Sequence, residues 1–271
     1  NNWWIYMSHL ELGRLYSEKI PKQSILHHQK FIENRYTGLL DPNSASDILR
    51  ITTTLESIKK LMVADNKINK LRKILLNLRV NAPKLSKISY IFEGGMLLEQ
   101  NYLDEGYSLL SEAIIKYPEE VEFLYMRSSF SSLLKNNTEY EEDLKAILKI
   151  NPDNSIVLNS LGYSMIINGD NYEKARDLIL RSLQLAPEVY ETLDSLGWAY
   201  YKLGNHIQAI KYLTQALSLA TKPEPEISAH LGEVLWITGK KIKAKSAWNK
   251  ILQNDSKNAI IQETLKRLKV K

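Results

Sequence analysis

The chain contains no cysteine. That removes a disulfide framework, a thiol nucleophile and any thiolate-bound zinc or iron–sulfur centre. It leaves the compartment open, because a cysteine-free chain folds equally well in reducing and oxidising surroundings. Glycine (11) and proline (8) are also scarce in 271 residues. Together they fill about 7% of positions against a usual ~12%, which argues against collagen-like, linker-rich and turn-dense all-β proteins. No apolar run approaches the ~18–20 residues of a membrane span. No signal peptide is visible. The chain opens on Asn1 rather than Met, so the expectation is a trimmed fragment from which a targeting or lipid-anchor segment has been removed. What remains is a helical composition. Leu, Ile, Lys, Glu, Ser and Asn dominate, and 44% hydrophobic residues are enough to exclude a wholly disordered chain.

A period of 34–35 residues runs through the sequence. Leu161-Gly162, Leu196-Gly197 and Leu231-Gly232 recur every 35 residues, as do Gly169, Gly204 and Gly239, and Ala175, Ala209 and Ala244 follow at 34 and 35. Small residues recurring at fixed places let two antiparallel helices approach closely, and large residues between them fill the gap to the next pair. A glycine in the connecting turn supplies a backbone conformation that side chains resist. Asn151-Pro152-Asp153 reads as one helix ending and the next beginning, with Pro152 in a first-turn position. A single pair cannot bury its apolar face alone, so stacking is what makes such a chain stable.

This pattern resembles the tetratricopeptide repeat, a helix–turn–helix unit. The resemblance implies an all-α, right-handed α-solenoid. About six repeats occupy 46–257, at 52–86, 87–120, 121–154, 155–189, 190–224 and 225–257. Segment 1–45 is expected to be a divergent N-terminal helical pair. Segment 258–271 reads as an amphipathic capping helix, with Ile260, Ile261, Leu265 and Leu268 on one stripe. The repeat at 190–224 matches most fully, through Leu193, Leu196, Gly197, Tyr200, Ala209, Leu213 and Ala216.

No catalytic constellation, cofactor site or metal site is expected. The histidines His9, His27, His28, His206 and His230 are read as solvated, and adjacent His27 and His28 point ~100° apart on a helix. Glu93-Gly94-Gly95 lies mid-helix and lacks the spacing and lysine of a phosphate loop. The run Glu139, Glu141, Glu142 and Asp143 lacks the glycine of a calcium loop and reads as an acidic helix start. Charge is segregated beneath the net +5. Residues 91–143 hold 12 acids against three Lys and Arg, and 239–271 hold 10 Lys and Arg against two acids. The basic end lacks a recognition helix or an aromatic-rich RNA signature, so the reading is protein docking with electrostatic steering, or plain solubility, rather than nucleic acid.

In tetratricopeptide domains the first helix of each pair lines a concave face, and this register places Tyr125, Tyr163, Trp198, Tyr201 and Trp236 there as an aromatic track. Such anchors bind protein partners. On this reading Trp198→Ala and Trp236→Ala abolish partner binding with melting nearly unchanged. The Lys and Asn pattern by which chaperone-tail clamps of the family grip a carboxylate is missing.

The runs Leu161-Gly162-Tyr163, Leu193 to Gly204 and Pro225 to Trp236 resemble the C-terminal half of bacterial outer-membrane tetratricopeptide lipoproteins. One such group tethers a carboxy-terminal processing protease and delivers substrates to it. The resemblance implies a non-catalytic, periplasmic, outer-membrane-anchored adaptor whose contact with the membrane is the missing N-terminal lipid anchor; cytoplasmic residence is the alternative address. Its partners would be a processing protease and its substrates. The alternative function is a structural subunit of an envelope export or a pilus or polysaccharide assembly machine. Oligomeric state stays open.

Overall fold

The computed structural model describes residue 30 and residues 44–64 and 67–270. The divergent pair expected at 1–45 falls almost wholly outside the described residues. Thirteen α-helices and no strand occur among the described residues. They fall into two compact units divided between Asn136 and Asn137.

The first unit contains α1 (Ala45–Ala64), α2 (Ile68–Asn81), α3 (Ser86–Glu99), α4 (Leu103–Lys116) and α5 (Val121–Leu133). A short 3₁₀ turn at Pro83–Leu85 leads directly into α3. Apolar residues three and four apart on α1, namely Ile51, Leu55, Ile58 and Met62, are fully buried against Leu71 and Leu75 of α2, which is the helical period read as a packed face. Tyr90 of α3 meets Phe123 of α5 edge-on at 6.0 Å.

The second unit contains α6 (Asn137–Ile150), α7 (Ser155–Asn168), α8 (Tyr172–Leu185), α9 (Tyr190–Lys202), α10 (His206–Leu219), α11 (Pro225–Ile237), α12 (Lys241–Leu252) and α13 (Ala259–Arg267). Several of these helices begin on a capping asparagine. Asn154, Asn171, Asn205 and Asn258 each accept a backbone N–H three residues on, satisfying a donor that the first turn leaves open. Asn154 therefore starts α7, and Pro152 sits in the preceding turn rather than in the helix. The turns between paired helices carry Gly169, Gly204 and Gly239 at φ 74°, 77° and 80°, the left-handed region where a side chain is strained.

Close approach explains the Leu-Gly pairs. A Cβ on Gly232 would lie 2.0 Å from the Trp248 ring of α12, so α11 and α12 meet there with no room for a methyl group. Among the cap residues, Ile261 is buried and Leu265 and Leu268 are partly buried, whereas Ile260 is 44% exposed. The apolar stripe of α13 is thus narrower than expected, and buried Thr264 takes part in it by returning its hydroxyl to the Ile260 carbonyl.

Candidate functional site

The first helices of the second unit, α7, α9 and α11, lie side by side and build one wall. The Tyr163 hydroxyl on α7 donates to Glu226 Oε1 on α11 at 2.5 Å. The two residues are 63 apart in sequence, and α9 runs between their helices, so the wall curves inward enough for α7 and α11 to touch across it. Burial, reinforced by the Glu226 carboxylate, pushes the Tyr163 phenol well above the ordinary tyrosine range; the hydroxyl keeps its proton and acts as a donor.

Trp198 on α9 is 6% exposed. One face of its indole stacks on His230 of α11, with ring centroids 4.0 Å apart. Tyr201 packs beside it at 4.8 Å, and the Lys202 ammonium lies 4.9 Å from the ring centre. His230 in turn places Nδ1 3.0 Å from both oxygens of Asp194. Burial drives the Asp194 carboxyl above its ordinary value, and the neighbouring imidazole opposes that shift. His230 is therefore no solvated histidine. It is 9% exposed, ordered by a carboxylate one helix away and a tryptophan ring. His206, also read as solvated, buries Nδ1 and packs its ring 5.7 Å from Tyr201. His9, His27 and His28 lie outside the described residues.

Further along the wall, the Tyr201 hydroxyl donates to Glu233 Oε1 at 3.1 Å. The same carboxylate receives two guanidinium bonds from Arg267 of α13, at 2.7 and 2.5 Å. This fork-on-fork geometry is the strong form of a charged hydrogen bond. Burial and the Glu233 charge push the Tyr201 phenol up to about 12. Arg267 stands 34 residues after Glu233, so α13 continues the wall by one more period. The 34-residue spacing carries that signal in the sequence, beneath the amphipathic pattern of a cap.

Of the five aromatic anchors expected from the sequence, Tyr163, Tyr201 and Trp236 are half-buried on α7, α9 and α11. Trp198 is enclosed, so it is a packing residue of the wall rather than an open face. Trp236 leans on Trp248 at 5.8 Å and lies under the Lys241 ammonium, 5.1 Å away. Tyr125 lies on α5 in the first unit and is half-buried. No group of three or more His, Cys, Asp or Glu able to hold a metal ion occurs among the described residues, and no described helix is long and apolar enough to cross a membrane. The acidic start at 139–143 is built into α6, where Glu141 accepts from Lys145, Ser164 and Asn168.

A family model for the tetratricopeptide repeat matches residues 190–222, which span α9 and α10. A TPR repeat-containing protein, PA4667, of Pseudomonas aeruginosa is 35% identical over 144 residues, covering 53% of this chain and 24% of that protein. A peroxisomal targeting signal receptor of Candida albicans is 33% identical over 86 residues, 31% of this chain and 14% of the receptor. The chain thus spans a quarter or less of the length of these curated relatives. Among solved structures, a tetratricopeptide repeat protein from Parabacteroides merdae superposes with a TM-score of 0.58 at 14% identity, over 96% of this chain and 97% of that one. The fold is therefore that of tetratricopeptide solenoids, whose stacked pairs form protein–protein interaction scaffolds and are typically non-catalytic.

Proposed function

We propose that this chain is a non-catalytic adaptor that holds a protein partner on the α7–α9–α11 wall and presents it to a carboxy-terminal processing protease. We place it in the periplasm, held to the outer membrane through a lipid anchor on the full-length protein. The observation that carries the reading is the fixed polar wall itself. Tyr163, Tyr201 and Arg267 each have one end tied to a carboxylate of α11, so these side chains are fixed before a partner arrives, and a fixed side chain loses little rotamer freedom on binding. The quoted runs between Leu161 and Trp236 support the protease partner, and a relative that is by name a targeting-signal receptor supports a protein ligand.

The test is affinity capture from a periplasmic extract, followed by a proteolysis assay with the captured protease. Co-purification of a processing protease, and faster cleavage of its substrates in the presence of this chain, are the expected results. Capture without any stimulation of cleavage would overturn the adaptor role. Tyr163→Ala combined with Glu226→Ala, both on the wall surface, is expected to weaken capture by about tenfold, the value of one lost charged hydrogen bond, with folding retained.

A further inference from the structure

The first unit contains a second polar site, remote in sequence from the wall just described. Glu93 on α3 is 1% exposed and sits between two arginines of α2. Arg72 Nε donates to Glu93 Oε1 at 2.8 Å. Arg79 Nη1 lies 2.8 Å from Glu93 Oε2, in an ion pair whose angles do not make a hydrogen bond, and neither Nε nor Nη1 of Arg79 has a hydrogen-bond partner. Arg79 is 8% exposed, its guanidinium 4.5 Å over the Tyr90 ring. Two guanidiniums share one buried carboxylate, with Arg79 at low exposure and Arg72 one-third exposed, a costly arrangement for a structural ion pair.

Both arginines and Glu93 form one side of an open cavity of about 400 Å³. The opposite side is α4, which presents Asp104, Glu105 and Glu112. Glu112 accepts the Tyr90 hydroxyl at 2.5 Å. Among the described residues no ion pair closes the gap between the α2 arginines and the α4 carboxylates. Opposite charges thus face each other across space large enough for a ligand, at the small end of the range for ligand pockets. A simple anion in this space would meet three carboxylates, and a simple cation would meet two guanidiniums. An apolar molecule would leave both walls unpaired.

The geometry points to a binding site for a small zwitterion of dipeptide size, its carboxylate on Arg72 and Arg79 and its ammonium on Asp104, Glu105 and Glu112. Paired guanidinium–carboxylate bonds orient one end of the ligand and the carboxylate wall reads the other.

The experiment is titration calorimetry of the full chain with L-alanyl-L-alanine and two blocked probes. N-acetyl-L-alanyl-L-alanine lacks the ammonium and L-alanyl-L-alaninamide lacks the carboxylate. Saturable heat is expected for the free dipeptide, with each blocked probe bound at least about tenfold more weakly, as the loss of one charged contact requires. Asp104→Asn with Glu105→Gln changes exposed residues that the fold does not need. It should weaken the free dipeptide about tenfold and leave the acetylated probe as it was. Arg72→Gln, at a side chain one-third exposed, should weaken the free dipeptide and leave the amide as it was, with thermal melting reporting that each variant folds. No saturable heat by about 10 mM dipeptide, equal binding of all three probes, or a double rim variant that binds as the parent does would each overturn the assignment.

Discussion

The two units place their buried charge differently. In the second unit the position that precedes the close-packed glycine is apolar in all three pairs, as Leu161, Leu196 and Leu231, and charge is moved to the wall, where Arg267 is half exposed beside buried Glu233. In the first unit the equivalent position before Gly94 is Glu93, and the carboxylate goes into the interior with its arginines. Glycine packing at that repeat position differs in parallel, although elsewhere in the first unit a Cβ on Gly106 would lie 2.1 Å from the Phe130 ring. A Cβ on Gly162, Gly197 or Gly232 would come within 2.6, 2.6 and 2.0 Å of a branched or aromatic side chain, whereas on Gly94 it would meet the flexible methyl end of Met126 at 2.8 Å. Both units combine close steric fit with buried charge; the second pairs Asp194 with His230 and Glu233 with the half-exposed Arg267, and the first sets Glu93 between two arginines. Removing one partner from a buried cluster is expensive, while removing one partner of a pair with a wet end is mild.

That contrast can be broken in several ways. The largest effect is expected at Glu93→Ala, which strands the buried Arg79 guanidinium beside the one-third-exposed Arg72 and should lower stability to denaturant by about 3–5 kcal/mol. Glu93→Leu with Arg79→Met should restore most of that loss, within about 1 kcal/mol of the parent. Glu233→Ala in the second unit frees an already half-exposed arginine but also leaves the Tyr201 hydroxyl without its acceptor, and should cost about 1.5–3 kcal/mol. Equal losses for Glu93→Ala and Glu233→Ala would erase the distinction between the units.

The next effect is steric. Gly232→Ala should destabilise by about 1–3 kcal/mol, because Trp248 must leave its place. Gly95→Ala is its counterpart in the first unit. Gly95 is mid-helix with nothing within 4 Å of an added Cβ, so the change should stabilise by about 0.5–1 kcal/mol through helix propensity. Melting curves of the two variants should therefore move in opposite directions.

Two smaller effects concern pH. Burial raises the folded Asp194 carboxyl above 3.8, so the native state holds its proton more tightly than the unfolded chain. The group's contribution is complete below the unfolded value and is lost as pH rises through the folded one. Asp194→Asn removes that loss, so the variant's melting temperature relative to the parent should climb between pH 4 and pH 7. Glu141 has the opposite sign. Burial pushes its carboxyl up, but bonds from Lys145, Ser164 and Asn168 outweigh burial and hold it below 4.5. Its contribution is present above the unfolded value and disappears as pH falls through the folded one. Glu141→Gln should melt slightly lower than the parent at neutral pH and alike at pH 3.

Much of this was legible beforehand. The period places the helix pairs, and Leu161, Leu196 and Leu231 with their glycines mark close-packed helices in the sequence itself. The Arg72–Glu93–Arg79 cluster also had a readable signal. Glu93 occupies a repeat position that the three pairs of the second unit fill with leucine, and Arg72 and Arg79 are seven apart, on one face of α2. Trp198 and His230 show the limit of periodicity, which tells which face of a helix a residue occupies, not how deeply its neighbours cover it. A ring drawn as an open anchor is enclosed once His230 of the next first helix stacks upon it.

From its sequence alone this chain had its class, its repeat and the absence of thiol chemistry, because periodicity and composition are properties of one strand of residues. Which side chains meet across helices was decided only in three dimensions. Tyr163 with Glu226, Asp194 with His230 and Arg267 with Glu233 lie 63, 36 and 34 residues apart. The inward curve of the α7–α9–α11 wall closes the first of these distances and the stacking of neighbouring first helices closes the other two. Hydrogen bonds a few ångströms long depend on that closure, and no local pattern of residues specifies it.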